Sequence, residues 1–141
     1  MNMIQKDLVQ TSFAQVKPIA ETAAALFYRR LFELDPMLRP LFKGDLEEQG
    51  RKLMDMLTVA VKGLDRPEAL LPALAALGRR HSGYGVRERD YETVGEALIW
   101  TLEQGLGPRF TSEVKEAWIS LYRVVSDTMR SRGNLNGNIN N

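Results

Sequence analysis

The amino-acid sequence predicts an all-α domain, and three observations carry that expectation. Apolar residues recur at three- and four-residue intervals along most of the chain. No alternating apolar–polar run of convincing strand length occurs. Prolines, glycines and cap residues cut the pattern into pieces of helical length. The sequence thus reads as seven or so helices, two of them short, in one domain.

From Lys6 to Lys17 the apolar positions are Leu8, Val9, Phe13 and Val16, close to one helical face. Pro18 suits the first turn of a second helix, which runs through Leu26, Phe27, Leu31 and Phe32. Asp35-Pro36 reads as a cap followed by a first-turn proline, opening a short third helix that Pro40 limits or distorts. After Lys43-Gly44, Asp45 stands three residues before Glu48, the spacing of a capping box. Leu46, Leu53, Leu57, Val61 and Leu64 form the stripe that follows.

Gly63 and Asp65-Arg66-Pro67 interrupt that stripe, and Asp65 with Glu68 repeats the capping spacing. Leu70, Leu74, Leu77 and His81 make the next stripe, ended by His81-Ser82-Gly83-Tyr84-Gly85. Asp90 is the expected cap of a helix carrying Tyr91, Val94, Leu98 and Leu102, broken at Gly107-Pro108. Thr111 or Ser112 caps the last helix, which turns Val114, Trp118, Leu121, Val125 and Met129 inward. A domain over residues 1–131 is expected, followed by a polar tail, 132–141, with little to bury and expected to be disordered.

Composition narrows the function classes. A chain of 141 residues buries roughly 68–70% of its unfolded surface and needs no disulfide or structural metal to fold. Nineteen Lys and Arg stand against eighteen Asp and Glu, a net charge of +1. That balance argues against a nucleic-acid partner and against strong attachment to an acidic membrane. Cysteine is absent, which removes thiolate metal sites and a cysteine nucleophile. With no apolar signal core and no apolar run of about 20 residues, the expected location is cytoplasmic.

His81 is the only histidine, so any imidazole chemistry rests on it. Its place on the Leu70–Leu77 ladder turns it inward, either as a buried hydrogen-bonded core residue or as a ligand. Gln49 heads the apolar stripe of Leu53, Leu57 and Val61; it is either a solvated first-turn residue or an inward amide. An inward amide without a partner costs about 1–3 kcal/mol. Tyr28 shares a face with Ala24, Ala25, Leu31 and Phe32, either as a satisfied core tyrosine or as a functional phenol. One imidazole, one phenol and one amide could ligate an iron on one side and hydrogen-bond a small ligand on the other.

The order and spacing of several stretches add to this. They are Phe27-Tyr28 with Leu31-Phe32, Asp35-Pro36 through Arg39-Pro40-Leu41-Phe42, and Glu48-Gln49. Arg80-His81 with Gly85-Val86, Tyr91 with Val94-Gly95, and Ala117-Trp118 with Tyr122 continue the series. Over roughly residues 4–130 the sequence resembles the globins, in particular bacterial single-domain haemoglobins and the haem domain of flavohaemoglobins. The resemblance implies a globin fold of helices A to H, with D short or absent, and haem b between E and F. It makes His81 the proximal iron ligand through Nε2 and Phe42 the ring stacked on the porphyrin. Tyr28 and Gln49 become the distal residues, with Leu53 above the iron and Tyr91 on the proximal side. Lys52 and Arg80 are candidates for the haem propionates. Leu57, Leu77, Val86, Val94 and Leu98 are candidate pocket lining.

The resemblance also implies the ligands: oxygen, carbon monoxide and nitric oxide. A hydrogen bond to partial negative charge on a gas ligand contributes about 1.5–3 kcal/mol, roughly ten- to hundredfold in residence. One position departs from the pattern. Flavohaemoglobins carry a glutamate late in the last helix, and Gly133 stands there, which weakens the case for strong proximal activation. The leading expectation is a high-affinity gas-binding globin for oxygen binding, transport or scavenging, and no catalytic residue is assigned. The alternatives are a nitric oxide dioxygenase served by a separate flavin reductase, and a gas-sensing or haem-free signalling module. Within one chain a bis-histidine haem is ruled out.

Overall fold

The computed structural model describes the backbone of residues 1–83 and 86–139 and the side chains of 1–80 and 86–130. Among the described residues there are six α-helices: α1 (Met3–Val16), α2 (Ala20–Leu34), α3 (Leu46–Lys62), α4 (Pro67–Gly83), α5 (Glu88–Leu106) and α6 (Ser112–Ile139). Four 3₁₀ turns, Lys17–Ile19, Pro36–Leu41, Gly63–Asp65 and Gly107–Arg109, join them. Each turn includes or adjoins a Pro or Gly, where an α-helix would lose a donor or helical entropy. α6 continues past residue 131, where the sequence places the start of a tail; the side chains there lie outside the described residues.

Several boundaries follow local chemistry. The Asn2 side chain accepts from Gln5 N at 2.8 Å and opens α1. Asp35 accepts from Met37 N at 3.0 Å, so Pro36 and Met37 start the short turn with the cap expected of them. Thr111 accepts from Val114 N at 3.2 Å and opens α6. Asp45 caps α3 through Glu47 N at 3.0 Å, the N2 donor, one residue earlier than the capping-box spacing suggests.

Two caps differ from the sequence reading. α5 begins at Glu88 with Arg87 as its cap residue. Asp90 sits a turn inside and reaches back to accept from Arg87 N at 2.8 Å. A carboxylate at the third helical position satisfies the free donor at the helix entry as well as a cap side chain does. Asp65, read as a capping residue, belongs to the Gly63–Asp65 turn and pairs with Lys6 Nζ at 3.0 Å. Gln10 Nε2 also donates to it, at 3.3 Å, so this carboxylate ties the turn to α1.

α4 packs chiefly on α6, α2 on α5 and α3, and α1 on α6. The core joins Val9, Phe13, Leu31, Leu57, Leu70, Leu74, Leu98, Leu102, Leu106, Trp118 and Leu121. Burying these side chains contributes about 1.5–3 kcal/mol each. Trp118 is fully buried, and its indole N–H donates to Ser12 Oγ at 2.8 Å. The one polar atom of that side chain is thereby satisfied, as burial demands.

Two helix crossings depend on missing side chains. A Cβ on Gly78 would stand 2.2 Å from the Met129 carbonyl oxygen, so α4 lies directly against the α6 backbone there. A Cβ on Gly50 would stand 2.9 Å from Ala24 Cβ, which sets how closely α3 approaches α2.

Candidate functional site

The α2–α3 crossing brings together residues from three elements. Tyr28 is carried on α2 and is 5% exposed. Its hydroxyl donates to the Gln49 backbone carbonyl at 3.1 Å. Gly50, the next residue, is what lets α3 come this near, because a Cβ there would collide with Ala24. Phe42, at the end of the Pro36–Leu41 turn, meets the Tyr28 ring edge-on with centroids 5.3 Å apart. Phe32 completes a three-ring cluster, 6.1 Å from Tyr28 and 5.6 Å from Phe42. Such pairs are worth about 0.5–1.5 kcal/mol beyond the area they bury.

The electrostatics of this corner are set by burial. Loss of solvent pushes the Tyr28 phenol from 10.0 up to about 12, which extends to alkaline pH the protonated, donating form that any tyrosine has at neutral pH. That proton goes to the neutral Gln49 carbonyl, at the long end of the O–H···O range at 3.1 Å. The Gln49 amide is half-buried and turned elsewhere: Nε2 donates to the Lys43 carbonyl at 3.4 Å, on the exposed side of the α3 entry. Gln49 thus meets Tyr28 through its main chain, not through the side chain that the sequence reading singled out.

The residues expected to surround a cofactor fall into three groups by burial. Leu57, Tyr91 and Leu98 are buried. Phe42, Leu53, Leu77, Val86 and Val94 are only partly buried and pack against the edge of the core. Lys52 and Arg80 are exposed. His81 is in α4, one turn beyond Leu77 in register with Leu70 and Leu74; its side chain lies outside the described residues.

On the α5–α6 side, Tyr122 OH donates to the Tyr91 carbonyl. Burial pushes the phenols of both Tyr122 and Tyr91 above the ordinary value. The Arg130 guanidinium lies 5.8 Å from the Tyr91 ring centre and lowers the Tyr91 phenol in part. Gly95 makes room for Tyr122, whose ring lies 2.7 Å from where a Cβ would be.

Sequence reasoning missed the role of Gly50, although a glycine inside a helical stripe signals a close approach. It also missed Arg87. That guanidinium is 3.1 Å from Asp90 Oδ1 and 3.8 Å from Asp35 Oδ2. The Asp90 contact has helical i,i+3 spacing, whereas no periodicity signals the contact with Asp35.

The residues present suit a flat, largely apolar group carrying one metal. Among the described residues no cluster of three or more His, Cys, Asp or Glu could hold a bare ion. A single imidazole, a protonated phenol and partly covered apolar side chains fit a cofactor that brings most of its own ligands. No helix among the described residues is long and apolar enough to cross a membrane.

Comparison with known proteins identifies the family and the fold. The chain is 32% identical to neuroglobin of Danio rerio, over 88% of this chain and 87% of that protein. It is 32% identical to neuroglobin of Tetraodon nigroviridis, over 91% and 89% of the two. Its fold superposes on an engineered carbene transferase from Rhodothermus marinus, a protein assigned as a nitric oxide dioxygenase. The TM-score is 0.87 at 26% identity, over 99% of this chain and 97% of that one. The family model described as Globin matches residues 25–129. With an all-α structure and a family match over most of its length, the chain belongs to the globin family.

Proposed function

We propose that the chain binds haem b between α3 and α4 and retains oxygen or another diatomic gas through Tyr28. The observation that carries this reading is the place of the buried Tyr28 hydroxyl, at the α2–α3 crossing beside Phe42, with the neutral Gln49 carbonyl as its partner at 3.1 Å. A partly charged acceptor binds such a donor more strongly than a neutral carbonyl does. Haem supplies, when bound, an iron that takes up the gas. His81 would hold that iron from α4. Phe42, Leu53, Leu57, Leu77, Val86, Val94 and Leu98 would cover the porphyrin faces, excluding water. Tyr91 would back the proximal side, and Lys52 and Arg80 would meet the propionates.

The roles of Tyr28 and Gln49 are unequal in this reading. Tyr28 keeps its proton and would turn it from the Gln49 carbonyl to the ligand. The Gln49 amide is turned to the exposed side of the α3 entry, toward the Lys43 carbonyl at 3.4 Å, so it contributes less. The test is the absorption spectrum of the purified chain in ferric, ferrous and carbon monoxide-treated forms. A haem spectrum that responds to carbon monoxide supports the reading; a colourless chain that takes up no added haem sinks it.

Nitric oxide dioxygenation is the second reading. Its specific support is the similarity to the Rhodothermus protein assigned to that activity. It requires one electron per cycle from a separate flavin reductase, while Tyr28 holds its proton for the oxygen ligand as before.

A further inference from the structure

We infer that Arg87 is a positioning residue, a strap that ties the segment entering α5 to the segment carrying Phe42 and so holds two walls of the haem site in register. The inference rests on the haem reading above and concerns residues that reading leaves unused.

Arg87 lies between two carboxylates from distant parts of the chain. Its backbone N–H donates to Asp90 Oδ2 at 2.8 Å, its Nε to the same oxygen at 3.4 Å, and a terminal nitrogen to Oδ1 at 3.1 Å. Asp90 is 2% exposed, and a carboxylate buried that deeply is stable only when paired and hydrogen-bonded. This fork fixes where the guanidinium sits. The same terminal nitrogen is then 3.8 Å from Asp35 Oδ2.

Asp35 has a separate task for its other oxygen. Oδ1 accepts from Met37 N at 3.0 Å and opens the Pro36–Leu41 turn. Pro36 and Pro40 stiffen that turn, and it ends at Phe42. On the other side, Val86 immediately precedes Arg87. The strap therefore joins the supports of Phe42 and Val86, both half-buried apolar residues assigned to the haem walls. Capping α5 needs only Asp90, so the link to Asp35 adds nothing to that helix. Its consequence is to fix the spacing between the two segments.

Asp35→Asn tests the link selectively, because the amide oxygen still accepts from Met37 N while the charge is lost. Arg87→Lys loses the same link and also the fork to Asp90, so its effect should be at least as large. In the full-length chain loaded with haem, haem transfer to an excess of a haem-free acceptor globin should speed up about two- to fivefold in Asp35→Asn. That range is the scale of a half-exposed pair. The double variant should be no faster than Arg87→Lys alone. Salt at about 1 M, where the screening length is about 3 Å, should bring the parent to the rate of Asp35→Asn. Amide exchange in residues 38–42 and 86–90 should rise together in Asp35→Asn.

Unchanged haem transfer in Asp35→Asn, additive effects in the double variant, or faster exchange in 38–42 alone would each overturn the strap. A parent chain that takes up no haem would overturn the haem reading instead. Coupled exchange between the two segments would still decide whether the strap exists.

Discussion

The contact between α1 and α6 and the corner where α2, α3 and Phe42 meet are built to opposite rules. In the first, Trp118, Ala117 and Val9 are fully buried, Phe13 lies 6.2 Å from the Trp118 ring, and the indole N–H is satisfied by Ser12. Nothing there has spare capacity. In the second, Phe42 and Leu53 keep part of their surface in solvent, and Tyr28 buries a hydroxyl on a long hydrogen bond. One region spends its residues on holding the fold. The other leaves apolar surface partly uncovered and a donor on a neutral carbonyl, an arrangement that a bound cofactor and ligand would complete.

Substitutions can break this comparison. Trp118→Ala should destabilise the chain by about 3–5 kcal/mol in denaturant unfolding, with or without added haem, because the cavity lies in a sealed region. Phe42→Ala should cost less than Trp118→Ala in the haem-free chain and noticeably more once haem is present. Equal costs for Phe42→Ala in the two forms would remove the distinction between the regions.

Haem itself gives the next largest effect. Free haem at about a hundredfold over its dissociation constant should stabilise the chain by about 2.7 kcal/mol, read as a higher unfolding midpoint. Stabilisation should vanish at matched haem concentration in His81→Ala if ligation supplies the affinity.

Ligand retention sharpens the distal half. Tyr28→Phe keeps the ring against Phe42 and removes the hydroxyl, so oxygen should dissociate about tenfold faster or more, a change of about 1.4 kcal/mol. Gln49→Leu should accelerate release less, since its amide is turned to the exposed side of the α3 entry. In stopped-flow displacement by carbon monoxide, an off-rate unmoved by both substitutions together contradicts the pocket.

A smaller effect follows from the buried phenols. Tyr28 is raised from 10.0 to about 12 in the folded chain, and Tyr122 is raised as well. Above pH 10 the unfolded chain releases these protons and the folded chain does not. Stability from the Tyr28 phenol is thus fully present below pH 10 and is lost as pH rises toward about 12. Unfolding free energy measured across that window should slope downward, and Tyr28→Phe should flatten part of the slope.

Much of this could be read from helical spacing, because periodicity reports which face of a helix is apolar. Leu31, Leu57, Leu70, Leu74, Leu98, Trp118 and Leu121 are buried where their stripes place them. The resemblance of short stretches to globins is supported by the family match. What spacing does not report is which neighbour each face meets. Gly50 matters because Ala24 lies opposite, and the Gln49 amide turns to Lys43 because the α3 entry puts that carbonyl within reach. Arg87 reaches Asp35 only once α2 and α5 are packed together. Contacts of this kind arise between elements and leave no periodic trace.

Turnover separates a carrier from an enzyme. The oxygen-loaded chain should consume about one equivalent of nitric oxide and then stop when reduced nicotinamide cofactor alone is supplied. It should continue when a flavin reductase is added. Continuous consumption with the cofactor alone would favour a self-sufficient enzyme.

The most direct measurement is a haem titration of the purified chain beside His81→Ala, followed by the Soret band and by the ferrous spectrum with and without carbon monoxide. The expected result is saturable uptake near one haem per chain, with histidine-ligated ferrous iron that carbon monoxide shifts, and loss of that ligation in His81→Ala. Uptake that never saturates, or iron–imidazole ligation unchanged in His81→Ala, would contradict a haem site built on α3 and α4.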